Sequence, residues 1–274
     1  ALQIFSAPKD QRMVSWRFNN KYLTNELVGI DTSLWMNHLV YPQQVKYETY
    51  TFLGNLGSAN QYDHFFSREN SYKFLFSRYM SVYSNNASEF KHYNVRTPFT
   101  NLYYSTSTGK QSEVEQVFKV FHTQNASRYL NFGVSYDFYG TKGVYANQET
   151  RNNIISLFGS YYKGNVQVQL ALTNRVYKHG ENAGITNHSF IRDTVIEQPN
   201  FIPVNLAGAE STTREFSTST ILGYTLINLR TEEKDETGKL VSNYIPLITA
   251  RLIANFDRGS RVFLNKSNTD EYFG

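Results

Sequence analysis

The chain contains no cysteine, which excludes disulfides, thiolate metal sites and cysteine nucleophiles. It also lacks any apolar run approaching the roughly 18 residues of a spanning helix, and its mean hydropathy is only -0.49. Together these exclude a helical membrane protein. They do not exclude a β-barrel, where half of each strand faces water. Charge of one sign is scarce too: 27 basic and 23 acidic residues leave a net +4, with no basic stripe to track a phosphate backbone, so nucleic-acid binding has no support. No signal peptide is visible, and the chain reads as a mature or trimmed product. Tryptophan is limited to 2, but there are 21 Tyr and 20 Phe. Tyrosine sits well at a membrane–water boundary, so this richness fits aromatic girdles. A soluble, glycan-binding β-protein, also tyrosine-rich, is the lesser alternative.

The clearest pattern lies between Gln111 and His179, in four segments at 111–124, 127–139, 150–163 and 166–178. In the second, Arg128, Leu130, Phe132, Val134, Tyr136 and Phe138 share one parity, against Tyr129, Asn131, Gly133, Ser135, Asp137 and Tyr139. In the fourth, Val166, Val168, Leu170 and Leu172 alternate with Gln167, Gln169 and Ala171. Period two makes a sheet with one oily and one wet face. Soluble strands usually run about 5–6 residues, whereas crossing hydrocarbon takes about 9–11. A small, polar face is also a poor sandwich core, so the pattern predicts an all-β, antiparallel, up-and-down transmembrane β-barrel.

Residues 1–69 read differently, as an N-terminal plug or periplasmic segment, with 70–274 supplying barrel strands. The N-terminal part offers a capped helical turn over 31–39, an early strand at 45–53 and a Gly/Asn turn cluster at 53–58. Alternation over 71–83 predicts a strand with Phe74 and Phe76 on the apolar face, although Arg78 falls on that face too. Residues 84–98 are ambiguous because Pro98 interrupts the ladder, and Thr100, Leu102 and Tyr104 resume it. Lys163-Gly164-Asn165 is a tight hairpin. A long insertion at 179–214 carries Phe190, Ile191, Phe201 and Ile202, and is expected to fold into the lumen or onto a partner, on a side left open. Strands follow at 215–229 and 242–257, around a solvated loop Thr231–Lys239. The total is roughly eight to ten strands, and residues 265–274 do not alternate as a closing strand should. The expectation is therefore a chain that stops before its barrel closes.

No catalytic, metal or cofactor site emerges. His122 has no second histidine at ligand spacing, and His188-Ser189 has no acidic or amide residue to orient it. Glu113 and Glu115 lie beside a turn, where exposed charge is the default. The polar parity carries more information: Lys73, Lys119, Asn131, Asp137, Gln167, Gln169, Thr173, Arg251 and Asn255 would line a lumen. Their mixed sign suits a weakly selective aqueous interior, or a filled barrel in which they bond one another. The lipid-facing set is Phe74, Phe76, Leu130, Phe132, Val134, Val168, Leu170, Leu172, Leu222 and Leu252. Arginine should be excluded at Phe132 or Leu170 and tolerated better at Gly133 or Gln169.

Several short motifs occur in order: Leu53-Gly54-Asn55-Leu56-Gly57-Ser58, Tyr93-Asn94, Thr97-Pro98-Phe99-Thr100 and Tyr103-Tyr104. They continue with His122-Thr123-Gln124-Asn125, Gly143-Val144-Tyr145 and Glu181-Asn182-Ala183-Gly184-Ile185. Over residues 16–265 this resembles the putative porin family of Bacteroidota outer membranes. The resemblance implies an outer-membrane location more firmly than an activity, and, since family members are longer, a missing C-terminal half. The expected partners are outer-membrane lipid, small polar solutes and other outer-membrane proteins. Two membrane readings follow: a non-catalytic porin-like barrel, or a structural subunit of a larger outer-membrane secretion or assembly complex.

Overall fold

The computed structural model describes residues 12–20, 22–29, 41–46, 49–67, 74–83, 87, 90–107, 114–192, 198–234 and 240–266. Short elements come first: β1 (Met13–Asn19), β2 (Thr24–Val28), helix α1 (Pro42–Lys46), β3 (Tyr50–Phe52), β4 (Asn60–Tyr62) and β5 (His92–Val95). The long strands follow as β6 (Phe99–Thr106), β7 (Glu115–Ser127), β8 (Leu130–Thr141), β9 (Thr150–Lys163), β10 (Val166–Glu181), β11 (Ala209–Lys234) and β12 (Leu240–Asn265). β6 to β12 form one seven-stranded antiparallel sheet in sequence order. The fold is all-β and up-and-down, but this sheet does not close: β6 and β12 are free edges among the described residues.

Cross-strand register sorts the side chains into rows. On one face, Leu130, Tyr161, Val168, Leu222 and Leu252 align across β8 to β12. The adjacent row is Phe132, Gly159, Leu170, Thr220 and Ala254, and the next is Val134, Leu157, Leu172, Thr218 and Phe256. This face is bare: Phe132 is 41% exposed, Leu157 49% and Leu252 63%. The opposite face is covered. A layer built from β2-β1-β5, the β3-β4 hairpin and a 3-10 helix (Leu75–Tyr83) lies against it. Met80, Val82 and Tyr83 of that helix bury against Val117, Tyr139, Ile154 and Tyr177 of the sheet, together with Leu56.

The helix replaces the strand expected at 71–83, of which 71–73 lie outside the described residues. Ser77, Met80 and Tyr83 are buried at a spacing of three, the period at which 3-10 side chains eclipse. The segment satisfied both periods, and burial selected the second. Phe74 and Phe76 are accordingly not part of the bare face. Phe74 abuts Gly259, and Arg261 lies 5.1 Å over the Phe76 ring, both on the covered parity of β12. Arg78 sits near the Tyr79 ring, 5.7 Å from its centroid, and never faces the bare side of a strand. The layer extends to Val95, beyond the expected boundary at 69/70.

Other boundaries move as well. Residues 42–46 are helical and the early strand shrinks to Tyr50–Phe52, because Pro42 fits a first helical turn better than a ladder. β10 and β11 extend into the expected insertion, leaving 182–208 between them. This loop is tied down. Asn147 Nδ2 donates to the carbonyls of Glu181, Leu206 and Ala209 at 2.9–3.0 Å, and Ile202 and Leu206 are buried. β11 and β12 are 26 residues each, so 231–234 are strand rather than loop. The sheet holds seven strands rather than eight to ten. The turn at 31–39, and 267–274 of the tail, lie outside the described residues.

Gly133 shows how closely the covered face is packed. A Cβ there would lie 2.2 Å from Phe158 Cζ and 2.5 Å from the His122 carbonyl oxygen. Sterics therefore count against arginine at Gly133, where the residues alone lead us to expect it to be tolerated better than at Phe132 or Leu170. Gly133→Ala should cost about 1–3 kcal/mol, read as a lowered urea midpoint of the detergent-folded protein. Gly159→Ala, whose Cβ would stand 3.3 Å from the Asn131 carbonyl, should cost less.

Candidate functional site

The covered face is the chemically distinctive surface, and its residues fall into three zones along the strands. At the end near the 142–149 and 182–208 loops, the 55–58 turn docks through its backbone. Glu115 accepts from Leu56 N–H at 2.8 Å and from the Tyr41 hydroxyl. Thr150 donates to the Leu56 carbonyl, Asn152 Nδ2 to the Gly57 carbonyl at 2.8 Å, and Asn55 Nδ2 to the Gln148 carbonyl at 3.0 Å. His179 Nε2 is 3.2 Å from both the Gly57 carbonyl and Asn152 Oδ1; two acceptors require it to carry the proton. Gly57 is obligatory here: φ is +83° and a Cβ would meet Thr150 Oγ1 at 2.7 Å.

The central zone carries several of the predicted polar residues. Lys119 and Asp137 are directly opposite on β7 and β8, and Lys119 Nζ lies 5.7 and 5.5 Å from the Tyr103 and Tyr139 ring centroids. Asn131 accepts from Thr123 Oγ1 and donates to the Gln124 carbonyl and Asn125 Oδ1. Thr173 pairs with Ser156 at 3.0 Å. Buried Arg175, which sequence reasoning missed, donates to Ser217 at 2.8 Å and stands 3.9 Å from Glu215. Glu215 in turn accepts from Ser77 of the 3-10 helix.

In the third zone, Gln169 Nε2 donates to Asn25 Oδ1 at 2.8 Å and to the Tyr162 hydroxyl. Trp16, 1% exposed, donates to the same hydroxyl at 3.1 Å and meets the Tyr162 ring edge-on. Gln169 is only 2% exposed, which counts against arginine there as well. Gln167 packs on Gly223. Arg251 and Asn255 share this parity on β12, where Asn255 is exposed. Lys73 lies outside the described residues.

Leu130, Phe132, Val134, Val168, Leu170, Leu172, Leu222 and Leu252 all share the bare face. Glu115 departs from its expected role as an exposed turn charge, because β7 begins there and aims it at the 55–58 turn. His122 bonds Thr100 through Nδ1 at 2.8 Å, and His188 is exposed on a 3-10 turn capped by Asn187. No group of three or more potential metal ligands occurs among the described residues.

A family model described as "Putative porin" matches residues 12–274. No curated protein and no solved structure gives a significant match.

Two expectations test the docking. Glu115→Gln combined with Asn152→Ala should weaken the 55–58 contact by about 1–3 kcal/mol, seen as faster proteolysis within 49–62 while the sheet stays protected. The second concerns His92 in β5, buried beside Trp16, whose Nδ1 has no hydrogen-bond partner among the described residues. Burial pushes its pKa down from 6.5 to about 4. Above about 6.5 the ring is neutral folded or unfolded. As pH falls toward about 4 the unfolded state takes up a proton that the folded layer refuses, so stability is lost across that window. Proteolytic opening of the layer should rise between those pH values, and His92→Gln should flatten the dependence.

Proposed function

The chain belongs to the putative porin family, and from that premise we propose that its sheet is part of an outer-membrane β-barrel wall. The bare face meets lipid, and the covered face turns inward around the N-terminal layer. The carrying observation is the mainly apolar, exposed face over β8 to β12, opposite a parity rich in Asn, Gln, Ser and Thr. A soluble β-protein would bury those apolar rows and hydrate the others. Here the reverse holds, as in a barrel wall. Tyr104, Phe118 and Phe138 align in one row at one border of the band, and Tyr161 and Tyr224 lie near the other. Paired aromatic borders are what two membrane interfaces favour.

The proposed activity is passage of small polar solutes without catalysis, restricted by the layer. The layer is tied to the wall by hydrogen bonds at Leu56, Gly57, Ser77 and Asn25, which water can replace if the layer moves, and by the apolar packing of Leu56, Met80 and Val82. A second reading draws on the same burial. With Trp16, Leu56 and Tyr177 nearly fully enclosed, the interior is permanently filled and the wall serves a larger outer-membrane assembly.

Phe132→Arg or Leu170→Arg should block membrane assembly at a cost of about 2–4 kcal/mol near the midplane, visible as loss of the protein from the membrane fraction. Normal assembly of both variants would remove the membrane reading. In liposomes, the Glu115→Gln/Asn152→Ala protein should pass small sugars faster than wild type. Unchanged flux, with the layer measurably loosened, would favour the permanently filled interior.

A further inference from the structure

Just past the aromatic border, the bare face changes character. The row beyond Phe118 and Phe138 reads Gln116, Gly140, Arg151, Lys178 and Thr212 across β7 to β11. Arg151 and Lys178 are therefore directly opposite on neighbouring strands, on the same face. Like charges in that arrangement are destabilising. Arg214 stands opposite Val176, diagonal to Lys178, and is exposed. Lys178 has one carboxylate, Glu210 at 3.9 Å. Among the described residues, neither Arg151 nor Arg214 has a carboxylate within salt-bridge distance.

A cavity of about 330 Å³ opens at this point. Its lining includes Lys142, Arg151 and Lys178, with Glu149 and Glu210 as the acidic members. Gly140 supplies the space, since it pairs with Arg151 and carries no side chain. The Phe138 ring leans over it, so a Cβ at 140 would lie 2.7 Å from Phe138 Cζ. The cleft thus has an aromatic wall toward the apolar band and cations on the other side. A free anion would use only the cations, whereas an amphiphile uses both.

We propose that this cleft binds the phosphate of an anionic membrane lipid, with its acyl chains lying on the apolar rows beside Phe138. The phosphate sits between Arg151 and Lys178 and relieves their mutual repulsion, and Arg214 adds a third cation at the rim. This assignment rests on the bare face meeting lipid, and the experiment below separates the two.

The full chain is reconstituted into nanodiscs of phosphatidylcholine alone or mixed with phosphatidylglycerol, and bound lipid is counted by native mass spectrometry. Wild type should retain phosphatidylglycerol in preference to phosphatidylcholine. The preference should fall about fivefold for each of Arg151→Gln, Lys178→Gln and Arg214→Gln, and persist in the charge-conserving Arg151→Lys/Lys178→Arg protein. Millimolar inorganic phosphate should not displace the lipid. In phosphatidylcholine alone, Arg151→Gln should raise the heat-dissociation temperature by removing the like-charge pair, an effect a purely structural arginine would reverse. Equal retention by wild type and the triple Gln variant overturns the lipid site, and displacement by inorganic phosphate overturns its lipid specificity. A chain that inserts but shows no anionic preference sinks this inference alone; one that enters neither nanodisc sinks the membrane reading with it.

Discussion

A β-strand has two faces and no third, and that restriction governs everything else in this molecule. Along β8 to β10, nearly every even residue of β8 and β10 and every odd residue of β9 points to the bare side. Their neighbours point to the layer. A one-residue slip would carry Gln167, Gln169 and Thr173 to the bare side and Leu170 and Leu172 into the polar network. The tight turn at Gly164-Asn165, with Gly164 at φ +59°, locks that register between β9 and β10. Polar zones, apolar rows and the cationic row beyond them all inherit their position from it.

The layer constrains the wall in return. An eight-stranded barrel has an interior just wide enough for its own side chains. An interior holding a three-stranded sheet and a nine-residue 3-10 helix needs a much wider circumference. Seven strands cannot curl round these contents. In hydrocarbon, any edge N–H or C=O group left without a partner costs several kcal/mol. On the proposed reading, closing the wall therefore requires a strand partner at each edge.

Much of the sheet was legible in the sequence because period-two alternation over a dozen residues leaves little else to choose. The bounds of β9 agree with the residues alone, and β8 and β10 differ by a few positions at their ends. Legibility failed where one segment suited two periods, as at 75–83. It failed again where a partner was remote. Nothing around Glu115 announces a turn 59 residues earlier, so its carboxylate looked like ordinary surface charge. Thr150, Asn152 and His179 were invisible for the same reason, though all three sit on the covered parity at one end of adjacent strands. The motif at 53–58 was conspicuous as a turn, but its receptor exists only once the sheet is formed. Arg151 and Lys178 went unnoticed because a charge just past an apolar strand reads as a boundary, and only register brings the two together.

Sequence order also sets a timetable. The sheet grows by addition of neighbouring hairpins, each closing a short stretch of chain. The layer is made first yet completed last. Trp16 waits for Tyr162, 146 residues downstream, and Asn25 waits for Gln169, 144 residues downstream. Loop closure over such distances is slow compared with hairpin formation. Until β7 to β9 are in place, Leu56, Met80 and Tyr83 lack Val117, Tyr139 and Ile154, and Trp16 lacks Tyr162. Apolar side chains of the first third of the chain thus stay exposed until the far strands arrive, and transiently exposed apolar surface of this kind favours aggregation.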